Sequence, residues 1–425
     1  MDSFLIQGGR PLCGDIEISG SKNAVLPILA ATLLTRETCI IRKVPDLSDV
    51  HFMGKILRSL GADFTYEHGV VTLQAKRLKA RGDYDLIRKM RGSICILGPL
   101  LARSGKASVS MPGGCVIGTR PIDLHLKGLK ALAAEIHIQE GYVHAKAGRL
   151  QGAEVFLGGR VGPTVLGTAN IMMAATLAEG VTVIESAACE PEITDLAHFL
   201  IAMGAKIEGA GSPRMVITGV DRLHGAEHEV IPDRIEAATY AMAAAATNGE
   251  VTLHHMRCDH LAAVLDKLKE AGVRMEARGT SLKILPGGEI NAVDVSTQPY
   301  TGFPTDAQAQ LMALMLKAAG LSIITERIFE SRFMHANELA RLGADIAIEG
   351  PSAIIRGGLP LSGAEVMASD LRASAALVIA GLMCPGRTQV NRIYHLDRGY
   401  EGMDQKLRSL GAKVKRVKEL SLIHI

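Results

Sequence analysis

One thiol in this chain sits between a turn and a guanidinium. The stretch Met111-Pro112-Gly113-Gly114-Cys115-Val116-Ile117-Gly118-Thr119-Arg120-Pro121 places Cys115 directly after Pro-Gly-Gly and five residues before Arg120. Pro-Gly-Gly disfavours regular structure and favours a turn. Arginine offers a fixed positive fork for phosphate or carboxylate. A thiol beside a cation on such a loop suits chemistry on a small anion, the plainer alternative being a surface loop with an incidental cysteine. Further polar groups open strongly apolar stretches: Ser21-Lys22-Asn23, Arg91, Thr305-Asp306 and Asp370-Leu371-Arg372. Ser21, Thr305 and Asp370 suit ordinary N-capping. Capping does not account for Lys22, Arg91 and Arg372, because a cation is disfavoured at the positive end of a helix. Something negative must offset that cost, and free N–H groups at helix starts form an anion site without a P-loop. Gly105-Lys106-Ala107 indeed lacks the rest of a Walker motif.

The elements that would position these groups come from a sixfold repeat. A helix end followed by a strand recurs as Leu60-Gly61-Ala62, Leu132-Ala133-Ala134, Met203-Gly204-Ala205, Ala271-Gly272-Val273, Leu342-Gly343-Ala344 and Leu410-Gly411-Ala412, at spacings of 72, 71, 68, 71 and 68 residues. Glycine there takes the left-handed cap conformation at little cost; Ala133 is the exception. Each repeat also carries a helix rich in Ala, Leu, Ile and Met nearly all round, which predicts burial on every side. These are 21–34, 89–103, 164–178, 233–247, 305–319 and 370–383. The repeat reads strand, buried helix, strand, amphipathic helix, strand, strand. Arg120, Arg332 and Arg398 fall on corresponding connections, and each charge-assisted bond to an oxyanion contributes about 1.5–3 kcal/mol.

Polar capping repeats of a solenoid are missing. The expected fold class is therefore α/β, as two inside-out, barrel-like domains of three repeats each, with inner helices and outer sheets. The split is expected near Val230-Ile231-Pro232, giving one domain over 21–230 and another over 1–20 and 231–425. The first strands, up to Ile18, are expected to complete the last repeat, so that the chain crosses twice between domains around a hinged cleft.

Composition narrows the function classes. At 425 residues the chain exceeds one ordinary core, with 48% hydrophobic and 21% charged residues. Aromatics are 4%, tryptophan is absent and the net charge is +3, which argues against nucleic-acid or membrane partners. The seven cysteines (13, 39, 95, 115, 189, 258 and 384) never show C-x-x-C spacing, as expected of reduced thiols in the cytoplasm. Met1-Asp2-Ser3-Phe4 opens no signal-peptide pattern, and runs such as 373–383 are too short to span a bilayer. His254-His255-Met256-Arg257-Cys258-Asp259-His260 fits no regular metal spacing, and a strand sends its first two histidines to opposite faces. Gly158-Gly159-Arg160-Val161-Gly162 lacks the dinucleotide order. Neither a metal nor a cofactor is expected.

The motifs Ser19-Gly20-Ser21-Lys22-Asn23, Met90-Arg91, Pro112 to His125, Phe303-Pro304-Thr305-Asp306, Arg332-Phe333-Met334-His335, Asp370-Leu371-Arg372-Ala373-Ser374 and Asp397-Arg398-Gly399-Tyr400 together resemble the enolpyruvyl transferases over essentially the whole chain. The resemblance implies the same two-domain inside-out fold. It also implies transfer of the enolpyruvyl group of phosphoenolpyruvate to the 3-hydroxyl of UDP-N-acetylglucosamine, with release of phosphate, as the first committed step of peptidoglycan precursor synthesis. The partners it implies are these two small molecules.

Carried over by motif, Asp306 is the base or orienter of the sugar hydroxyl, and Cys115 is the proton donor, able to add to phosphoenolpyruvate and open to fosfomycin-like epoxides. Lys22, Arg120 and Arg398 hold the phosphate, Arg332 and Arg372 complete the cationic site, and Asp370 handles protons or stabilises a cationic centre. Asn23, Arg91, Arg120, Pro121, Ile122, Asp123, Leu124, His125 and Ile328 match nucleotide-sugar contacts. The segment Gly162 to Thr168 departs from the family's Ser-Val-Gly-Ala-Thr form, so Arg160, Thr164 and Val165 are carried over by position alone. Cys95, one turn beyond Arg91, is expected to pack. Two rival readings are 3-phosphoshikimate 1-carboxyvinyltransferase, which does not carry the Pro-Gly-Gly-Cys loop, and a non-catalytic nucleotide-sugar-binding paralogue, which would need neither acid nor base.

Overall fold

The computed structural model describes residues 2–111 and 122–418; Cys115, Arg120 and Pro121 lie outside the described residues. The chain divides into two compact units, one running from Gly20 to Ile231, the other made of the residues up to Ser19 and from Pro232 onward. No helix among the described residues is long and apolar enough to cross a membrane.

Within the unit from Gly20, three inner helices form: Lys22–Ala31, Leu97–Ser104 extending a 3-10 turn over Arg91–Ile96, and Val165–Ala175. The other unit holds Arg234–Ala246, Gln308–Met315 after a 3-10 turn Thr305–Ala307, and Leu371–Met383. All residues of Arg234–Ala246 and of Gln308–Met315 are buried, as a helix without a polar face requires. Several polar side chains of the inner helices find internal partners: Thr239 donates to the Ile235 carbonyl at 2.8 Å, and Asn170 of Val165–Ala175 accepts from the Gly98 amide at 2.7 Å. Ser21, Thr164, Asp233 and Asp370 cap four of the helices through side-chain oxygens.

The sheets of the repeats follow one plan, apart from the short hairpin of Gly158–Gly159 with Gly162–Pro163. In the fifth repeat, Val295–Ser296 runs parallel to Leu321–Thr325, which pairs antiparallel with Ser352–Arg356, itself hairpinned to Asp345–Glu349. Ala353 and Ile355 face the core while Asp345 and Glu349 face out, the period-two alternation of a half-buried sheet. In the second repeat the leading strand shrinks to a single parallel bridge, Arg81 to Ser108.

The N-terminal strands divide between two sheets, which corrects the expectation that all of them complete the last repeat. Asp2–Gln7 does so, lying between Arg387–Asn391 and Lys413–Lys418 and antiparallel to both. Cys13–Glu17 instead pairs in parallel with Glu250–His254 of the fourth repeat. The leading place in the first repeat's sheet is taken by Glu227–Glu229, parallel to Cys39–Arg42. A leading strand needs only a parallel neighbour, and the chain reaches each place from a different end.

The recurrent helix stop has a backbone cause. Gly61, Gly204, Gly272, Gly343 and Gly411 have φ of 97°, 99°, 82°, 97° and 84°, and Ala133 takes the same left-handed state at 65°. For a residue with a Cβ that state costs about 1–2 kcal/mol, against about 0.4–1 kcal/mol of extra unfolded-chain entropy that a glycine brings. Ala133→Gly is therefore expected to stabilise its unit by roughly 0.5–1 kcal/mol. Gly61→Ala is expected to destabilise it, since the added Cβ would stand 2.8 Å from the Arg77 carbonyl oxygen. Urea unfolding midpoints of the two variants should move in opposite directions.

Candidate active site

In the unit that begins again at Pro232, the start of the fifth inner helix meets the start of the sixth. Asp306 lies in the 3-10 turn ahead of Gln308–Met315, and Arg372 in the first turn of Leu371–Met383. Arg332 comes from the connection before the outer helix Met334–Ala340. Arg332 Nη2 donates to Asp306 Oδ1 at 2.8 Å and Arg372 Nη2 to Asp306 Oδ2 at 3.0 Å. The two arginine side chains are 5% and 3% exposed, against 27% for Asp306, so the carboxylate is the open member of the trio. Nε of both arginines is buried without a hydrogen-bond partner. Their guanidiniums lie against aromatic rings, Arg332 at 5.3 Å from the Phe329 centroid and Arg372 at 5.4 Å from Tyr400.

The electrostatics follow from that packing. Burial works to raise the Asp306 carboxyl, but Arg372 and Arg332 outweigh it and hold the group well below the usual carboxylate range. Burial opposes the charge on Arg372, and Tyr400, Asp306 and Asp233 more than restore it. The Asp306 carbonyl is fixed by Gln310 Nε2 at 2.9 Å, and Gln310 also reaches the Tyr400 hydroxyl at 3.1 Å.

Asp370 is an N-cap. Its Oδ1 accepts from the Arg372 and Ala373 amides at 2.9 and 3.1 Å, and Ser369 Oγ donates to its Oδ2 at 3.2 Å. Burial pushes the nearby His335 imidazole down to about 4, with Asp370 opposing and Arg332 adding. Arg398 closes the 3-10 turn Ile393–Arg398. His395 in the same turn is lowered by burial and by Arg398, with Asp370 opposing, so these three share one neighbourhood. Ile328 presents its amide to Glu326 at 2.8 Å.

The unit from Gly20 to Ile231 carries the remaining described residues. Lys22 and Asn23 form the first turn of the first inner helix, and Lys22 Nζ pairs with Asp49 Oδ2 at 3.0 Å. Arg91 opens the 3-10 turn before the second inner helix. Ile122 caps the outer helix Asp123–Ala131, which carries Asp123, Leu124 and His125 in its first turn. His125 is buried, with Nδ1 at 3.0 Å from Asn170 Nδ2. Burial, with Arg91 adding, lowers its imidazole to about 4, so it is neutral at physiological pH. The hairpin of Gly158–Gly159 with Gly162–Pro163 carries Arg160 at its tip. A Cβ on Gly159 would stand 3.1 Å from Leu124 Cδ1, so the hairpin packs on the 123–125 turn. Thr164 caps the third inner helix through its hydroxyl, 3.2 Å from the Gly167 amide, and Val165 begins that helix.

The negative charge demanded by the helix-start cations is thus partly internal, from Asp49 for Lys22 and Asp306 for Arg372. Neither pairing shows in the sequence, because the partners are far apart in the chain. Glu326 and Gln310 escape sequence reasoning for the same reason, and Tyr400 enters it only as the end of the 397–400 motif. Cys95 is buried, its thiol pushed up to about 12, which suits packing and not catalysis. His254 is bonded to Ser281 Oγ and Asp15 Oδ1, each at 3.0 Å.

The chain matches, over residues 6–407, the family model described as EPSP synthase (3-phosphoshikimate 1-carboxyvinyltransferase). It is similar to the UDP-N-acetylglucosamine 1-carboxyvinyltransferase of Methylacidiphilum infernorum (isolate V4), 55% identical over 417 residues that cover 98% of this chain and 99% of the relative. The protein of the same name from Koribacter versatilis (strain Ellin345) is 51% identical over 425 residues, 99% and 98% of the two chains. Among solved structures, the enolpyruvyl transferase NikO from Streptomyces tendae superposes with a TM-score of 0.90 at 27% identity, covering 99% of each chain. EPSP synthase from Acinetobacter baumannii, with a TM-score of 0.75 at 19% identity over 98% of this chain and all of the other, shares the fold. With identity above one half along nearly its whole length, the chain belongs to the UDP-N-acetylglucosamine 1-carboxyvinyltransferase family of enolpyruvyl transferases.

Proposed function

We propose that the protein transfers the enolpyruvyl group of phosphoenolpyruvate to the 3-hydroxyl of UDP-N-acetylglucosamine by addition and elimination, releasing phosphate. The observation that carries this reading is the Asp306 carboxylate held between Arg332 and Arg372. One fixed negative and two fixed positive groups suit a reaction joining a sugar hydroxyl to a doubly anionic enol ester. In the addition step Cys115 gives a proton to C3, the hydroxyl oxygen bonds to C2 of phosphoenolpyruvate, and the hydroxyl proton, made strongly acidic as that bond forms, passes to Asp306. In the elimination step C3 loses a proton and the C2–O bond to phosphate breaks.

Asp306, ionised by its arginines, accepts a hydrogen bond from the hydroxyl and orients it. So strongly paired a carboxylate is a weak base, so its main contribution is position and charge. Cys115 as the thiol is the proton donor to C3, while an arginine-rich site favours its thiolate form, which adds to phosphoenolpyruvate instead of donating. Lys22, Arg120 and Arg398 take the phosphate, Arg332 and Arg372 the remaining anionic charge, and Asp370 the cationic centre that develops at C2. Asn23, Arg91, Pro121, Ile122, Asp123, Leu124, neutral His125, Arg160, Thr164, Val165 and Ile328 take the nucleotide sugar.

The reading includes the finer architecture of two inside-out, barrel-like domains, 21–230 and 1–20 with 231–425. It also includes a cytoplasmic location, in keeping with the six free cysteines among the described residues.

Phosphate release with UDP-N-acetylglucosamine, beside a parallel assay with shikimate 3-phosphate, tests the substrate. Turnover is expected only with the former. Activity confined to the shikimate ester would overturn the assignment, and silence with both would favour a binding protein. Cys115→Ser is expected to lower kcat by roughly 10²–10⁴-fold, the usual worth of a positioned acid, and an equal rate would remove Cys115 from that role. Asp306→Asn is expected to lower kcat while calorimetric binding of the nucleotide sugar persists; lost binding would show that Asp306 chiefly holds the sugar.

A further inference from the structure

Behind the arginine–carboxylate trio stands a buried acid with no assigned role. Glu326 follows the strand Leu321–Thr325 and is 4% exposed. Its Oε1 accepts from Thr297 Oγ1 at 2.7 Å, from the Ile328 amide at 2.8 Å and from the Phe329 amide at 3.2 Å. Its Oε2 accepts from Thr305 Oγ1 at 2.7 Å. Thr305 in turn accepts from Arg332 Nη1 at 2.8 Å, and Arg332 Nη2 reaches Asp306. The Thr297 hydroxyl also accepts the Arg327 amide at 2.9 Å. One carboxylate therefore ties together the residue after the leading strand, the 327–329 main chain and the turn that carries Asp306.

The direction of the bonds makes the arrangement specific. A threonine hydroxyl has one hydrogen to give. Because Thr305 gives it to Glu326, its lone pairs are left to receive Arg332 Nη1. A carboxamide in place of Glu326 presents an N–H donor to Thr305 wherever its oxygen keeps the two amides. The hydroxyl then has donors on both sides and its own hydrogen loses its acceptor. Such mismatched buried groups relax by moving, and displacements of about 1 Å at a reacting group cost roughly 10²-fold in rate.

We propose that Glu326 is a positioning residue for the transfer reaction, setting Asp306 through Thr305 and Arg332 and setting the Ile328 main chain through its amide bond. The role rests on the reaction proposed above. It predicts two separable effects. The arm through Thr305 acts on kcat, while the arm to the Ile328 and Phe329 amides acts on KM for the nucleotide sugar.

Steady-state kinetics on Glu326→Gln, Thr305→Val and Thr305→Ser, with the wild type in the same assay, separate these effects. Thr305→Val is expected to lower kcat roughly ten- to a hundredfold with little change in KM. Thr305→Ser, which keeps the hydroxyl, should recover most of that loss. Glu326→Gln should match the kcat loss and add a several-fold rise in KM. The double variant should be no slower than Glu326→Gln, because both changes break one chain of bonds. Losses that multiply in the double variant, or variants as fast as an active wild type, would overturn the role alone. A silent wild type would overturn the reaction and the role together. Should Glu326→Gln fail to fold, the contrast between the valine and serine at 305 decides the relay by itself.

Discussion

A single carboxylate shared by two buried guanidiniums is the constraint on which the candidate site in the Pro232 unit depends. Arg332 and Arg372 are almost wholly out of water, and an unpaired ion in that position costs several kcal/mol. Asp306 offsets the cost for both, yet two cations against one anion leave the trio positive. Under the function proposed above, the trio would face an anionic part of the substrate. It is fixed by backbone: Arg372 by a capped helix start, Asp306 by a 3-10 turn, Arg332 by a connection anchored through Thr305. In the other unit Lys22 likewise pairs with an acid distant in the chain, Asp49, at 3.0 Å.

The buried helices explain how such groups are held. A helix without a polar face has one place to put a charge cheaply, which is its end. In Gln308–Met315 and Leu371–Met383 the charged and capping groups stand at the N-terminal turns and the apolar body fills the core. Precision at the site is thereby tied to the densest packing in the molecule. The glutamine and tyrosine beneath Asp306, Gln310 and Tyr400, are buried polar groups bonded to each other, and they stiffen the platform from below.

Much of this was legible in the residues. Windows rich in Ala, Leu and Met marked the helices Arg234–Ala246 and Leu371–Met383 to within a residue or so, because burial on all sides leaves no other composition. The helix-start cations were legible as anomalies, since elementary electrostatics opposes them. Their partners were not. Asp49 and Glu326 look like any acid near a turn, and their meaning comes from tertiary contacts that no local pattern encodes. The same limit applies to the N-terminal strands. The sequence places strands up to Ile18 without bounding Cys13–Glu17, whose Gly, Asp and Glu are poor strand formers, and nothing local says that it pairs with Glu250–His254 and not with the last repeat.

The position of Asp2–Gln7 bears on the order of assembly. This strand occupies an interior place in its sheet, flanked by Arg387–Asn391 and Lys413–Lys418. On a ribosome it is made long before both neighbours, which lie at 387–391 and 413–418. The residues from Gly20 to Ile231 form an uninterrupted stretch of chain and have all their own partners much earlier. The entropy of closing so long a loop grows only as the logarithm of its length, so the thermodynamic penalty is modest and the burden is one of waiting. An unpaired strand with Phe4 and Ile6 exposed is a ready template for foreign β-pairing. Its sparing length of six residues limits that exposure during synthesis.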